Sequence, residues 1–141
     1  MSLWVLDTDH VSLFQHRNPL IVQRVNSVKF EEIAITIITA EEQFRGRFNV
    51  IRNASLSDKL VLAYANFQAN LEFFKTANLL QFSEAAGNIY TELVKQKIRV
   101  GTQDLRIAAI TLSVKGILVT RNFKDFEKVP NLRLEDWSIS E

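Results

Sequence analysis

The chain has 141 residues, 47% of them hydrophobic, with 17 basic against 16 acidic side chains and a formal net charge of +1. That composition supports a buried core, excludes disorder, and makes any nucleic-acid-binding surface a local feature rather than a consequence of overall charge. There is no cysteine, which excludes disulfides, thiolate metal sites and a cysteine nucleophile.

In chain order, residues 3–6 read as a buried strand that stops at Asp7, and the β-branched run 33–37 reads as a second strand leading into a helix over about 40–49. Ser55 followed by Asp58 reads as a capped helix start, and Leu60, Tyr64, Phe67, Leu71 and Phe74 behind it form one apolar stripe. A short strand at 79–82 precedes a helix over 83–97. Residues 102–115 form a helix that is apolar nearly all round and therefore deeply buried, with Gly116 ending it. Strands at 117–120 and 132–134 complete the series. No stretch approaches the length of a membrane span, and the first residues lack a charged segment ahead of an apolar run. A cytoplasmic globular protein with no membrane attachment is expected, with residues 1–141 forming one domain.

Continuous apolar strands separated by helices predict an α/β fold with a parallel sheet covered on both faces, which binds ligands beyond its C-terminal strand ends. Asp7 follows the first strand, Glu42 lies just after the second, and Asn122 and Asp125 follow the fourth. Asp104 opens the helix that feeds the fourth. Carboxylates gathered on one edge repel one another unless a cation is present, and hard oxygen ligands favour Mg²⁺ or Mn²⁺. Such an ion activates water for phosphoryl chemistry without a Ser, Cys or His nucleophile.

Each acid also has a local explanation. Thr39 and Glu42 have capping-box spacing, Asp104 sits in a first helical turn, and Asp7 or Asp9 can cap the helix starting near His10. His10 and His16 read as structural or solvated, and most of the ten phenylalanines as core. Arg45, Arg47 and Arg52 are either a phosphate-holding cluster or a solvated helix face. On a helical wheel Ala40, Phe44 and Phe48 define a core face that Glu41 flanks more closely than Glu42.

The segments Leu6-Asp7-Thr8-Asp9, Thr39 to Gly46, Asp104 to Ala109, Val119 to Phe126 and Val129 to Trp137 occur in an order that resembles a PIN domain. Within that superfamily the chain is most similar to VapC-type toxins of bacterial toxin–antitoxin pairs, over essentially its whole length. The resemblance implies a Rossmann-like domain with a five-stranded parallel sheet flanked by helices. It also implies endoribonuclease activity with a metal-activated water, a Mg²⁺ or Mn²⁺ cofactor, an RNA substrate, an antitoxin partner and a homodimer. By motif, Asp7, Glu42 and Asp104 match the first three acids, with Asn122 or Asp125 supplying the fourth position. Asp7, Asp104 and Asn122 then hold the metal, while Thr120, Arg45 and Arg47 lie toward substrate. Glu42, four residues before Gly46, is the family's choice over Glu41; the glycine leaves room for metal and substrate. Asp9 stands where many relatives have Asn, adding negative charge.

Two other functions fit parts of the chain. Asp7-Thr-Asp9-His-Val11 resembles the start of haloacid-dehalogenase-like phosphatases, with Asp7 as nucleophile and Asp9 as acid/base. That family usually ends its site with paired acids and a suitably placed lysine, which Thr120 to Asp125 fits poorly. A PIN-like domain serving only as a protein-binding module is the non-enzymatic reading.

Overall fold

A computed structural model describes residues 2–140. The elements are β1 (Trp4–Leu6), α1 (Thr8–Gln15), α2 (Pro19–Asn26), β2 (Ile33–Thr36), α3 (Ile37–Asn53), α4 (Ser57–Thr76) and β3 (Leu79–Leu80). They continue with α5 (Glu84–Lys95), α6 (Thr102–Ser113), β4 (Ile117–Val119), α7 (Phe123–Phe126) and β5 (Arg133–Glu135). The five strands form one parallel sheet, as the apolar runs predict, and the structure gives their order as β3-β2-β1-β4-β5. Among the described residues no helix is long and apolar enough to cross a membrane.

Period-two alternation along the strands divides the core. Val5 and Leu118 face one layer with Ile107, Ala108 and Ile110 of α6, and Leu6 and Val119 face the other with Val11, Ile21 and Trp137. Chain order runs outward from β1 through β2 to β3, then returns to the other side of β1 for β4. The order therefore reverses between β1 and β4, whose ends are held together by the Asp7 amide donating to the Val119 carbonyl at 3.0 Å.

Several local readings are corrected. The second strand stops at Thr36, whose hydroxyl accepts from the Thr39 amide at 3.3 Å and caps α3. Thr39 and Glu42 are therefore not a capping box, because Thr39 already lies inside the helix. Ser55 does not cap α4, which starts at Ser57 behind Leu56 with no side-chain cap. The face that α4 buries carries Ala63, Asn70 and Phe74, while Leu60, Tyr64 and Leu71 of the expected stripe are exposed. This helix is apolar on several faces, and its packing against α3, through Phe67 on Phe44 and Phe48, selects only one of them.

At the end of α6 the left-handed residue is Lys115 (φ 54°), not Gly116. Lys115 donates to Leu112 and Gly116 to Thr111, the paired bonds of a Schellman ending. The glycine answers a close approach instead, since a Cβ there would meet the Leu3 carbonyl and a Val5 methyl at 3.1 Å.

Candidate active site: an acidic cavity at the sheet's switch point

A cavity of about 460 Å³ opens at the C-terminal ends of β1 and β4, lined by Asp7, Thr8, Asp9, Glu42, Asp104, Arg121, Asn122 and Phe126. This is where an open α/β sheet forms a crevice, because the chain leaves the two central strands toward opposite sides.

Asp7 is the most buried acid of the group, 7% exposed. It caps α1, its Oδ1 accepting the His10 amide at 2.8 Å, and His10 Nδ1 approaches the same oxygen at 3.3 Å. The other ring nitrogen of His10 accepts the Trp137 amide at 3.2 Å. That bond fixes the tautomer, with the proton on Nδ1 and donated to Asp7. His10 is thus fully buried and joins the chain's last turn to the first acid. The structural reading of His10 stands, with its link to the C-terminal segment as an addition.

Glu42 reaches the cavity from the first part of α3. Its carboxylate accepts the Thr8 hydroxyl at 2.6 Å, and Thr8 lies 2.9 Å from the Thr39 hydroxyl. Each hydroxyl has one proton, so Thr39 donates to Thr8 and Thr8 to Glu42. Thr8 and Thr39 had no role in the sequence reading beyond a cap, although Thr8 stands between two acids of the first motif. Glu41 points elsewhere: it pairs with Arg45 at 3.0 Å and accepts from Gln103 at 2.9 Å, outside the cavity. The glycine one turn on, Gly46, has open space where its Cβ would be.

Asp104 sits in the first turn of α6. Its carboxyl is pushed up to about 6 by burial first, then by the negative charges of Glu42, Asp7 and Asp125. Asp125 lies outside the cavity lining and is partly exposed. It is held low chiefly by the Asn122 side chain, whose Nδ2 donates at 3.0 Å, and also by Lys128. The Asn122 Oδ1 lies 3.4 Å from the Asp125 amide at the start of α7. The amide group therefore faces Asp125 with both ends, although Asn122 lines the cavity.

The expected substrate-side residues are not gathered here. Arg45 is on the Glu41 face, and Arg47 lines a separate cavity with Phe14, Arg17 and Asn70. Thr120 is completely buried, its hydroxyl accepting the Asn122 amide at 2.9 Å, so it shapes the loop and offers no surface. The cation that does line the cavity is Arg121, which sequence reasoning passed over; its Nε and Nη2 grip both oxygens of Asp9 at 2.7 and 2.9 Å.

Among the described residues, Asp7, Asp9 and His10 form the trio whose candidate ligand atoms all lie within 4.8 Å of one another. The group is able to hold a metal ion, but both nitrogens of His10 and both oxygens of Asp9 already have partners. Across the cavity, burial and then the crowding of the other acids make Asp104 keep its proton up to about pH 6. All of these donors are hard oxygens, which suits a cation of the Mg²⁺ class.

No family profile matches the chain. A relative does: ribonuclease VapC2 of Haemophilus influenzae is 32% identical over 142 residues, covering 97% of this chain and 99% of that protein. The chain belongs to the VapC ribonuclease family. Another member, the tRNA(fMet)-specific endonuclease VapC of Shigella flexneri, is 29% identical, covering 98% of this chain and all of its own length. The structure of VapBC-1 from nontypeable Haemophilus influenzae matches with a TM-score of 0.74 at 25% identity, covering 97% of this chain and 99% of that one. VapBC names a family of toxin–antitoxin systems. The five-stranded PIN fold implied by the sequence motifs is that of these VapC chains.

Proposed function

We propose that this VapC-family chain is a divalent-metal-dependent endoribonuclease acting as the toxin of a toxin–antitoxin pair. The observation that carries the reading is the meeting of Asp7, Glu42 and Asp104, from three distant segments, in one cavity where burial and the neighbouring acids raise the Asp104 carboxyl to about 6. Local capping accounts for Asp7 alone, and no cap requires three acids to converge. We assign Asp7 and Asp104 to holding Mg²⁺ or Mn²⁺, with Asn122 or Asp125 at its edge. A bound divalent ion there supplies charge for the phosphodiester and acidifies water.

The chain's own groups set the rest. His10 and the α1 amide fix one oxygen of Asp7, leaving the second for the cavity. Thr8 orients Glu42, which we assign to take the proton from the attacking water. The phosphatase alternative is not supported. Its acid/base, Asp9, is tied to Arg121, and no lysine is among the described residues that line the cavity.

Purified protein is expected to cut RNA in Mg²⁺ or Mn²⁺ and to stop in excess EDTA, with Mn²⁺ raising its melting temperature. Cleavage at full rate in EDTA would sink the metal assignment, and absence of cleavage with any divalent ion would leave only a binding module. A cognate antitoxin is proposed because the matched structure is a VapBC assembly. It fits an acidic groove that a Lys or Arg side chain can enter. The exposed apolar residues Val61, Leu62 and Tyr64 on α4 are surface that an antitoxin or a second copy in a homodimer can cover. Expression alone is expected to arrest growth, and co-expression with the adjacent small open reading frame to restore it; harmless expression of an RNA-cleaving protein would remove the toxin assignment.

A further inference from the structure

An RNA phosphate entering this cavity meets a surface dominated by carboxylates, yet phosphate binding needs donors of positive charge. Of the described residues lining it, Arg121 is the single basic one. The loop that carries Arg121 is anchored on both sides. Before it, the Thr120 amide donates to the Glu135 carbonyl at 2.8 Å; after it, the Asn122 amide donates to the Thr120 hydroxyl at 2.9 Å. Asp9, in the first turn of α1, then grips the Nε and Nη2 edge of the guanidinium. The end-on edge, made by Nη1 and the second Nη2 hydrogen, has no partner among the described residues. Both side chains are about half exposed, 52% for Arg121 and 44% for Asp9, so that edge is open to a ligand.

We propose that Arg121 binds a non-bridging oxygen of the RNA backbone at this cavity, and that Asp9 is the positioning residue that aims it. The proposal rests on the ribonuclease reading of the site. A planar guanidinium already clamped on one edge presents the other as a fixed two-donor fork, the geometry that suits a phosphate. An exposed ion pair adds little to stability, so structure alone gives the pair small value. The same contact explains how an acid at position 9 is tolerated beside Asp7: its charge is answered by Arg121 rather than added to the metal site.

The test uses the intact protein with a fluorescein-labelled single-stranded RNA and Mn²⁺. Arg121→Gln is expected to raise KM by roughly 10–100-fold, the loss of one charge-assisted hydrogen bond to a charged group, with kcat changed much less. The salt dependence of RNA binding should weaken by about 0.7 in log–log slope, one phosphate contact on single-stranded RNA. Arg121→Lys should recover part of the KM, and Asp9→Asn should raise KM by a smaller factor. The double variant should be no worse than Arg121→Gln alone, since Asp9 acts through Arg121. Mn²⁺ binding, read from the metal-induced shift in melting temperature, should not fall in either single variant.

Wild-type KM in Arg121→Gln, or a fall in kcat and melting temperature together at constant KM, overturns the proposal. So does weaker Mn²⁺ binding in Asp9→Asn, which would make Asp9 a metal ligand. If the wild-type protein neither cuts nor binds RNA, the ribonuclease reading itself has failed and this one falls with it. If the wild type cuts and Arg121→Gln matches it, this one alone fails.

Discussion

Asp104→Asn is expected to abolish metal-dependent cleavage, a loss of at least about 10²-fold, while raising the melting temperature of the metal-free protein. Burial and the charges of Glu42, Asp7 and Asp125 push the Asp104 carboxyl from 3.8 to about 6. The folded state therefore binds this proton more tightly than the unfolded chain does. Above pH 6 the ionised group carries the full penalty. As pH falls through 6 toward 4 the penalty is relieved, so this group makes the metal-free protein more stable in acid. Asparagine removes the ionisation, and the gain at pH 7.5 is of order 1–3 kcal/mol from a shift of about two units. The difference between the wild-type and Asp104→Asn stability curves should accordingly shrink between pH 7 and pH 4. Added Mn²⁺ reverses the ranking, because only the wild type keeps the carboxylate. Proton and metal compete for Asp104, so activity should decline as pH drops through a midpoint that moves to lower pH as Mn²⁺ is raised. A destabilised Asp104→Asn protein, or one with wild-type activity, would contradict the crowded-acid account.

The centre of the sheet was legible because β1, β2 and β4 are largely buried and read as unbroken apolar runs. Parallel strands end on one edge, which is why Asp7 and Asn122 could be expected there from the apolar pattern and a topological rule; the structure adds that the first and fourth strands lie side by side. The short elements escaped. α2 opens with Asn18-Pro19, and Asn18 does accept from the Leu20 and Ile21 amides, but its eight residues carry too little periodicity to stand out. α7 is a single turn capped by Asn122.

The start of α3 was misplaced by three residues because Ile37 and Ile38 continue the β-branched run of β2, and only the Thr36 cap marks the change. That error made Glu42 look like a cap when it is a member of the cavity. Within the cavity, carboxylates announce themselves by charge type and by position after strands. Thr8 and Arg121 do not, since a threonine and an arginine have many ordinary surface uses. What singles them out is contact across the fold, between positions 8 and 42 and between positions 9 and 121, and no local pattern encodes it.

Neighbouring glutamates of α3 give the sharpest test of how the site is built. Glu42→Gln is expected to lower kcat by about 10²–10⁴-fold, the range for removing a positioned general base, with little change in KM for RNA. Glu41→Gln should stay within about twofold of wild type and within roughly 0.5 kcal/mol in stability, because it removes only exposed contacts to Arg45 and Gln103. A helical wheel alone favours Glu41, since it lies nearer to the face of Ala40, Phe44 and Phe48. The structure shows why the wheel misleads: Phe48 is half exposed, so the apolar face is not one continuous core seam. The partner of Glu42 is the Thr8 hydroxyl on another element. Thr8→Val removes that hydroxyl while keeping the side chain's shape, and should reproduce part of the Glu42→Gln loss in kcat. With Glu42→Gln already in place, Thr8→Val should add little, because the two act as one unit. Steady-state kinetics of these four variants and the wild type on one RNA would decide the matter. Full activity in Glu42→Gln together with loss in Glu41→Gln would overturn the assignment.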